Sequence, residues 1–214
     1  MADIFKEVDE DLRRDNAAKI WKKYGFFIIG AALAAIVAVA GYQAWRVYDL
    51  DQRRKLSDQF AAALDAAAKG DESAAQEALR ALSDPASGGY RGLAAFEEAR
   101  LRAENGDVGG AVAIWDRLAE TSSLGESLQT AAVILSVLHQ LDTGDAQSLR
   151  RRLEPLSAEG QAYRAAALEL SALLALRQGE RDAAQTLYGT LADDRAAPAG
   201  ARARAAQMLA ALKG

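Results

Sequence analysis

The 214-residue chain contains no cysteine, a single histidine (His139) and only three prolines, Pro85, Pro155 and Pro198. Without cysteine there are no disulfides, thiol nucleophiles or thiolate metal sites. The compartment stays open, because an oxidising one permits disulfides without requiring them. One histidine rules out an HExxH site or a cluster of imidazole ligands. Basic charge is not in excess: 26 Lys and Arg stand against 30 Asp and Glu, a net charge of -4. Nucleic acid is therefore not an expected partner, since binding its phosphate backbone needs a basic surplus. Scarce proline and abundant alanine favour helix almost everywhere.

Catalytic constellations are missing as well. No phosphate-cradling G-x-x-x-x-G-K-[ST] run occurs. The adjacent acids Glu97-Glu98 and Asp193-Asp194 point to different sides of a helix, so neither pair shares a proton. His139 reads as a partly packed helix residue rather than a catalytic base. A non-enzymatic protein is expected, with no cofactor, no metal and no small-molecule substrate.

One stretch stands apart. From Phe26 to Gly41, sixteen residues carry no charged or hydrogen-bonding side chain. Tyr24 to Trp45 makes a helix of roughly 33 Å, enough to cross a hydrocarbon core of about 30 Å with slight tilt. Phe26, Phe27, Ile28, Ile29, Leu33, Ile36, Val37 and Val39 together favour insertion by on the order of 2 to 5 kcal/mol. Trp21 and Tyr24 stand at one edge, Tyr42 and Trp45 at the other, as in an aromatic belt. Lys19, Lys22 and Lys23, with Arg13 and Arg14 behind them, crowd the first edge; Arg46 is alone at the second until Arg53. By the positive-inside rule the N-terminus stays in the cytoplasm and the larger part is exported. Two other readings compete. Ala38-Val39-Ala40 could end a cleaved signal, but the leader carries six acidic residues and the helix runs on into Tyr42 and Trp45. A buried helix of a soluble protein lacks anything before residue 24 to cover it. The expectation is a permanent single-pass anchor, with residues 1–23 as a tail, 24–45 as the membrane helix and 46–214 as an exported domain.

The exported part repeats itself. "AKGDESAAQEALRALS", "ENGDVGGAVAIWDRLA", "DTGDAQSLRRRLEPLS" and "RQGERDAAQTLYGTLA" share a turn at Gly70, Gly106, Gly144 and Gly179. Five residues on come Ala75, Ala111, Leu149 and Ala184; nine on, Leu79, Trp115, Leu153 and Tyr188; twelve on, Leu82, Leu118, Leu156 and Leu191. Seven before lie Ala63, Ala99, Val137 and Ala172. Offsets of 5, 9 and 12 share one helical face. Each glycine is expected to close a helix in the left-handed conformation, and the acid after it to open the next. The unit is thus helix, turn, helix, and it resembles the tetratricopeptide repeat. The early Trp, Leu and Tyr of that repeat's first helix are missing here, as is its closing proline. Pro155 should end or kink its helix around Glu154. Helices are predicted over about 48–69, 71–83, 89–105, 107–121, 126–142, 145–154, 160–178, 180–193 and 198–212. The fold class is all-α: a transmembrane helix, then a degenerate solenoid of about four helix pairs and a capping helix. The first of these helices is expected to continue from the anchor.

Three sets of residues are candidates for binding. Tyr90, Phe96, Arg100 and Tyr163, on first helices, would line a peptide groove if they are not core. Arg150, Arg151 and Arg152 would meet acidic groups on a partner, or form a solvated face. Gly30, Ala34, Ala38 and Gly41 make a small-residue stripe suited to docking another membrane helix.

The leader "DIFKEVDEDLRRDNAAKIWKKYG", a single span ending "GYQAW", and the degenerate repeats together resemble the ancillary SecYEG translocon subunit family of Gram-negative bacteria. The most specific part of the resemblance is residues 3–45. It implies an inner-membrane protein with its C-terminal domain in the periplasm, associated with the SecYEG translocon. A membrane-anchored periplasmic chaperone of the peptidyl-prolyl isomerase type is the second implied partner. The implied role is passing emerging polypeptides to folding factors, and no catalytic residues come with it. A scaffold for another envelope assembly, in cell division or outer-membrane assembly, is the alternative.

Overall fold

A computed structural model describes the backbone of residues 2–84 and 89–213, and the side chains of residues 21–84 and 89–213. The side chains of Arg13, Arg14 and Lys19 lie outside the described residues. Every element among those described is helical, with no strand. The chain divides into two compact units, Met1–Arg54 and Lys55–Gly214.

The first unit is formed by α1 (Ala2–Ala68), whose residues from Lys55 on belong to the second. Its apolar stretch is long and apolar enough to cross a membrane, and only 6 % of that window is buried. Phe26, Phe27, Ile36, Val37 and Val39 all face outward.

The second unit pairs its helices as the repeats predict. The end of α1 packs with α2 (Glu72–Leu82), α3 (Gly89–Glu104) with α4 (Val108–Ala119), α5 (Glu126–His139) with α6 (Ala146–Leu153), and α7 (Arg164–Arg177) with α8 (Arg181–Asp193). The last helix, α9 (Ala199–Lys213), packs on the final pair: Ala197, Ala201 and Ala205 join Leu168, Ala172, Tyr188 and Leu191 in one cluster. This is a tetratricopeptide-repeat-like α-solenoid with a capping helix.

The register holds in the packing. The residues seven before and five, nine and twelve after the four turn glycines are buried, with the exception of Leu156. Alanine at most of the −7 and +5 positions lets helices cross closely, while Leu79, Trp115, Leu153 and Tyr188 fill the space behind. Leu156 is only half-buried for a local reason. Pro155 ends α6 at Leu153, and a 3-10 turn over Glu154–Ser157 rotates the twelfth position off the helical face.

Two expectations are corrected. Gly106 has φ +86°, and the Asp107 N–H donates to the Arg102 carbonyl at 2.8 Å, which closes α3 in the left-handed glycine motif. Gly70 and Gly179 behave alike, but Gly144 does not adopt a positive φ. α5 ends early, at His139, and the chain turns through Gln140–Thr143; the Gly144 N–H donates to Gln140 O at 2.8 Å. Glycine is needed there for space, because an added Cβ would lie 3.0 Å from Gln140 O and Leu149 Cδ1. The other correction is α7, which begins at Arg164 and not at residue 160, so Tyr163 precedes the helix.

The acid after each glycine opens the next helix by direct bonding in three repeats. Asp71 accepts from Ala74 N–H at 3.1 Å, Asp107 from Gly110 N–H at 2.9 Å and Asp145 from Ser148 N–H at 2.8 Å. Glu180, one methylene longer, makes no such bond and accepts from Arg150 at 2.5 Å.

Candidate interaction surfaces

Tyr90 stands at the start of α3, 37 % exposed, with its ring centroid 6.0 Å from that of Phe60. Phe96 is half-buried and packs against the cluster built on Trp115, Leu118 and Ala132, so much of it belongs to the core. Arg100 is exposed, yet its guanidinium is held by Glu97 at 2.7 Å and Glu104 at 2.6 Å. The hydrogen bond to Glu97 leads in raising its pKa above the ordinary arginine value. Phe96 and Arg100, four apart on α3, share a side of that helix. Tyr163 is half-buried ahead of α7, in a different repeat. What the first helices offer is therefore one aromatic pair, Phe60–Tyr90, and a compensated charge cluster.

The arginine run separates into three roles. Arg150 reaches Glu180, joining the third repeat to the fourth. Arg152 donates to Asp116 Oδ1 at 2.6 Å and to Ser136 Oγ at 3.2 Å, joining the third repeat to the second. Ser136, wholly buried, donates to Asp116 Oδ1 at 2.6 Å and accepts from Gln140 at 2.9 Å, which completes the network. Arg151 alone is exposed and has no partner among the described residues. A run of three adjacent arginines does not reveal this division, because the partners sit on neighbouring repeats 30 and 36 positions away.

His139, exposed at the end of α5, stacks on buried Trp115 with ring centroids 4.6 Å apart and planes 28° apart. The indole N–H of Trp115 is buried without a hydrogen-bond partner. Glu97 and Glu98 do face different neighbours. Glu98 is buried and takes Arg102 at 2.7 Å and the hydroxyl of Ser83.

On α1, Gly30, Ala34, Ala38 and Gly41 are all exposed, and no atom lies within 4 Å of a Cβ built at Gly30 or Gly41. Trp21, Tyr24, Tyr42 and Trp45 are exposed too. Lys23 Nζ sits 5.3 Å from the Tyr24 ring centroid, a cation–π contact. Among the described residues no group of three or more histidines or acids is placed to hold a metal ion.

A family model for a tetratricopeptide repeat-like domain matches residues 19–212, from before the apolar stretch to the end of α9. No curated protein and no solved structure matches the chain. Four helix pairs in one register, closed by a capping helix and covered by that match, place the molecule among protein-interaction scaffolds: the chain belongs to the tetratricopeptide repeat-like domain family.

Proposed function

We propose that the protein is a non-enzymatic, single-pass inner-membrane scaffold with residues 1–23 in the cytoplasm, residues 24–45 in the bilayer and residues 46–214 in the periplasm. It associates there with the SecYEG translocon and with a membrane-anchored chaperone of the peptidyl-prolyl isomerase type, linking exported polypeptides to folding factors. The observation that carries the reading is the apolar stretch of α1, long enough to cross a membrane and facing outward. Lysines crowd one edge of that stretch, and aromatic residues stand at both. The translocon and the chaperone rest on the resemblance of residues 3–45.

In this reading the array is the principal binding surface, through Tyr90, Tyr163 and Arg151. Gly30, Ala34, Ala38 and Gly41 dock a membrane helix of the partner. Anchoring adds effective concentration, worth roughly 10²–10⁴ in apparent affinity. The test is co-purification with three forms: the intact protein, residues 50–214 exported alone, and a Gly30→Leu, Ala34→Leu, Ala38→Leu variant. Translocon and chaperone components should accompany the intact protein strongly and the exported array weakly. Recovery of neither component with any form would sink the translocon role and leave a scaffold for another envelope assembly. A reporter active only in the periplasm should work when fused after Gly214. A membrane-bound chain starting at Gly41 would instead mark a cleaved signal.

A further inference from the structure

A second stripe runs along α1 that the small-residue stripe does not include. Phe26, Ile29, Leu33, Ile36, Ala40, Gln43, Val47 and Leu50 recur at alternating steps of three and four. That is the a/d pattern of a coiled coil, with a period of 3.5 residues. On a straight helix such a stripe drifts by roughly 20° per heptad, so only a partner that winds with it stays in contact. The large members are exposed throughout, and two lie past the span: Val47 is 62 % and Leu50 43 % exposed, among Arg46, Asp49, Asp51 and Arg53. Lipid tails do not account for apolar side chains there.

The four belt aromatics point the same way. In this register Trp21 and Tyr42 fall at c, and Tyr24 and Trp45 at f, the positions opposite a and d. The side that meets the lipid interface is thus the side away from the stripe, which is left for another helix. The Gly30–Gly41 stripe lies on yet another face, about 120° from it at roughly 100° per residue.

We infer that residues 26–50 pair with a second copy of this chain as a parallel, in-register coiled coil that begins in the membrane and continues beyond it. This rests on the anchor reading above, since two chains inserted alike are necessarily parallel. Two features select a second copy over a different helix. Gln43 sits at d, where in a parallel pair it faces Gln43 of the other copy; an amide both donates and accepts, so the two satisfy each other. Arg46 at g faces Asp51 at e of the other copy, five positions on, so opposite charges meet twice across the pair, in addition to the interaction each Asp51 makes within its own chain. Arg54 at the next a position would face its own copy and ends the stripe.

Because the chain has no cysteine, single cysteines read this directly in the full protein in its membrane. Gln43→Cys, Val47→Cys and Leu50→Cys should give disulfide-linked dimer on mild oxidation. The yield should exceed that of Tyr42→Cys, Asp49→Cys and Gln52→Cys several-fold. Equal yields at all six positions, or no dimer at any of them in membrane-embedded protein, would overturn the pairing. So would a photo-crosslinker at Val47 that captures another protein and no dimer. Alkaline extraction of the same membranes keeps the two readings apart. A chain that washes off fails as an anchor, while the periodic pattern in the extracted chain would still support self-pairing.

Discussion

Trp45 in the apolar helix is 63 % exposed, while Trp115 in the array is 1 % exposed. The contrast holds for the two regions at large. From Phe26 to Val39 of α1 the large apolar side chains face outward; in the array the repeated positions, Leu156 excepted, are buried. Apolar content does not decide where a helix goes. What decides is how that content is distributed around it. In the array, apolar residues return to one face, leaving the opposite face polar, and such a helix buries itself against its neighbours. In α1 they occupy every face, and a helix apolar all round and left uncovered calls for lipid or for partner helices.

The sharpest way to break this comparison is to remove each tryptophan in turn. Trp115→Ala should destabilise the array by about 3–5 kcal/mol, and Leu118→Ala by about 2–5 kcal/mol, through the cavities they leave. Both should leave membrane retention intact. Trp45→Ala should leave the array's melting temperature where it was. Thermal melting of the detergent-solubilised chain checks all three; an unchanged transition for Trp115→Ala would mean that this side chain is not core.

A smaller effect separates the turns within the array. Asp107→Ala removes the side-chain bond to Gly110 N–H, together with a part-exposed ion pair to Arg102, and should cost about 1 kcal/mol, mostly from the cap. Glu180→Ala removes no cap bond, only a partly exposed ion pair with Arg150, and should cost less. Chemical denaturation that ranked them the other way would refute the capping account.

The smallest effect is confined to alkaline solution. Burial, with the Glu169 carboxylate adding to it, raises the Tyr188 pKa above the ordinary tyrosine value. The folded state therefore favours the neutral phenol. Its contribution is whole below about pH 10 and is lost as pH rises through the raised value. Tyr188→Phe should be nearly silent at neutral pH and should lose part of the stability decline above about pH 10. An identical alkaline profile in the variant would show that Tyr188 ionises without cost.

The helix pairs were legible because their signal is local and repeated. A glycine, an acid and apolar residues at fixed offsets need only one helix and one turn to make sense. The long apolar stretch of α1 was legible for the same reason, since sixteen uncharged residues are a statement about length alone. Gly144 was misread because left-handed geometry and close approach both select glycine, and only the positions of Gln140 and Leu149 distinguish them. The binding candidates were the least legible. Phe96 and Arg100 look like groove residues until the core behind one and the acids beside the other are seen.

By itself, then, the sequence determined the helical class, the repeat length, the register of the buried face and the outward apolar stretch, because periodicity and length are properties of a single chain segment. Tertiary structure alone decided which arginine of three stays free, that Arg152, Asp116 and Ser136 lock two repeats together, and that exposed His139 lies on buried Trp115. Those are contacts between residues 16 to 36 positions apart, and no local pattern encodes which of several polar side chains will meet once the helices have stacked.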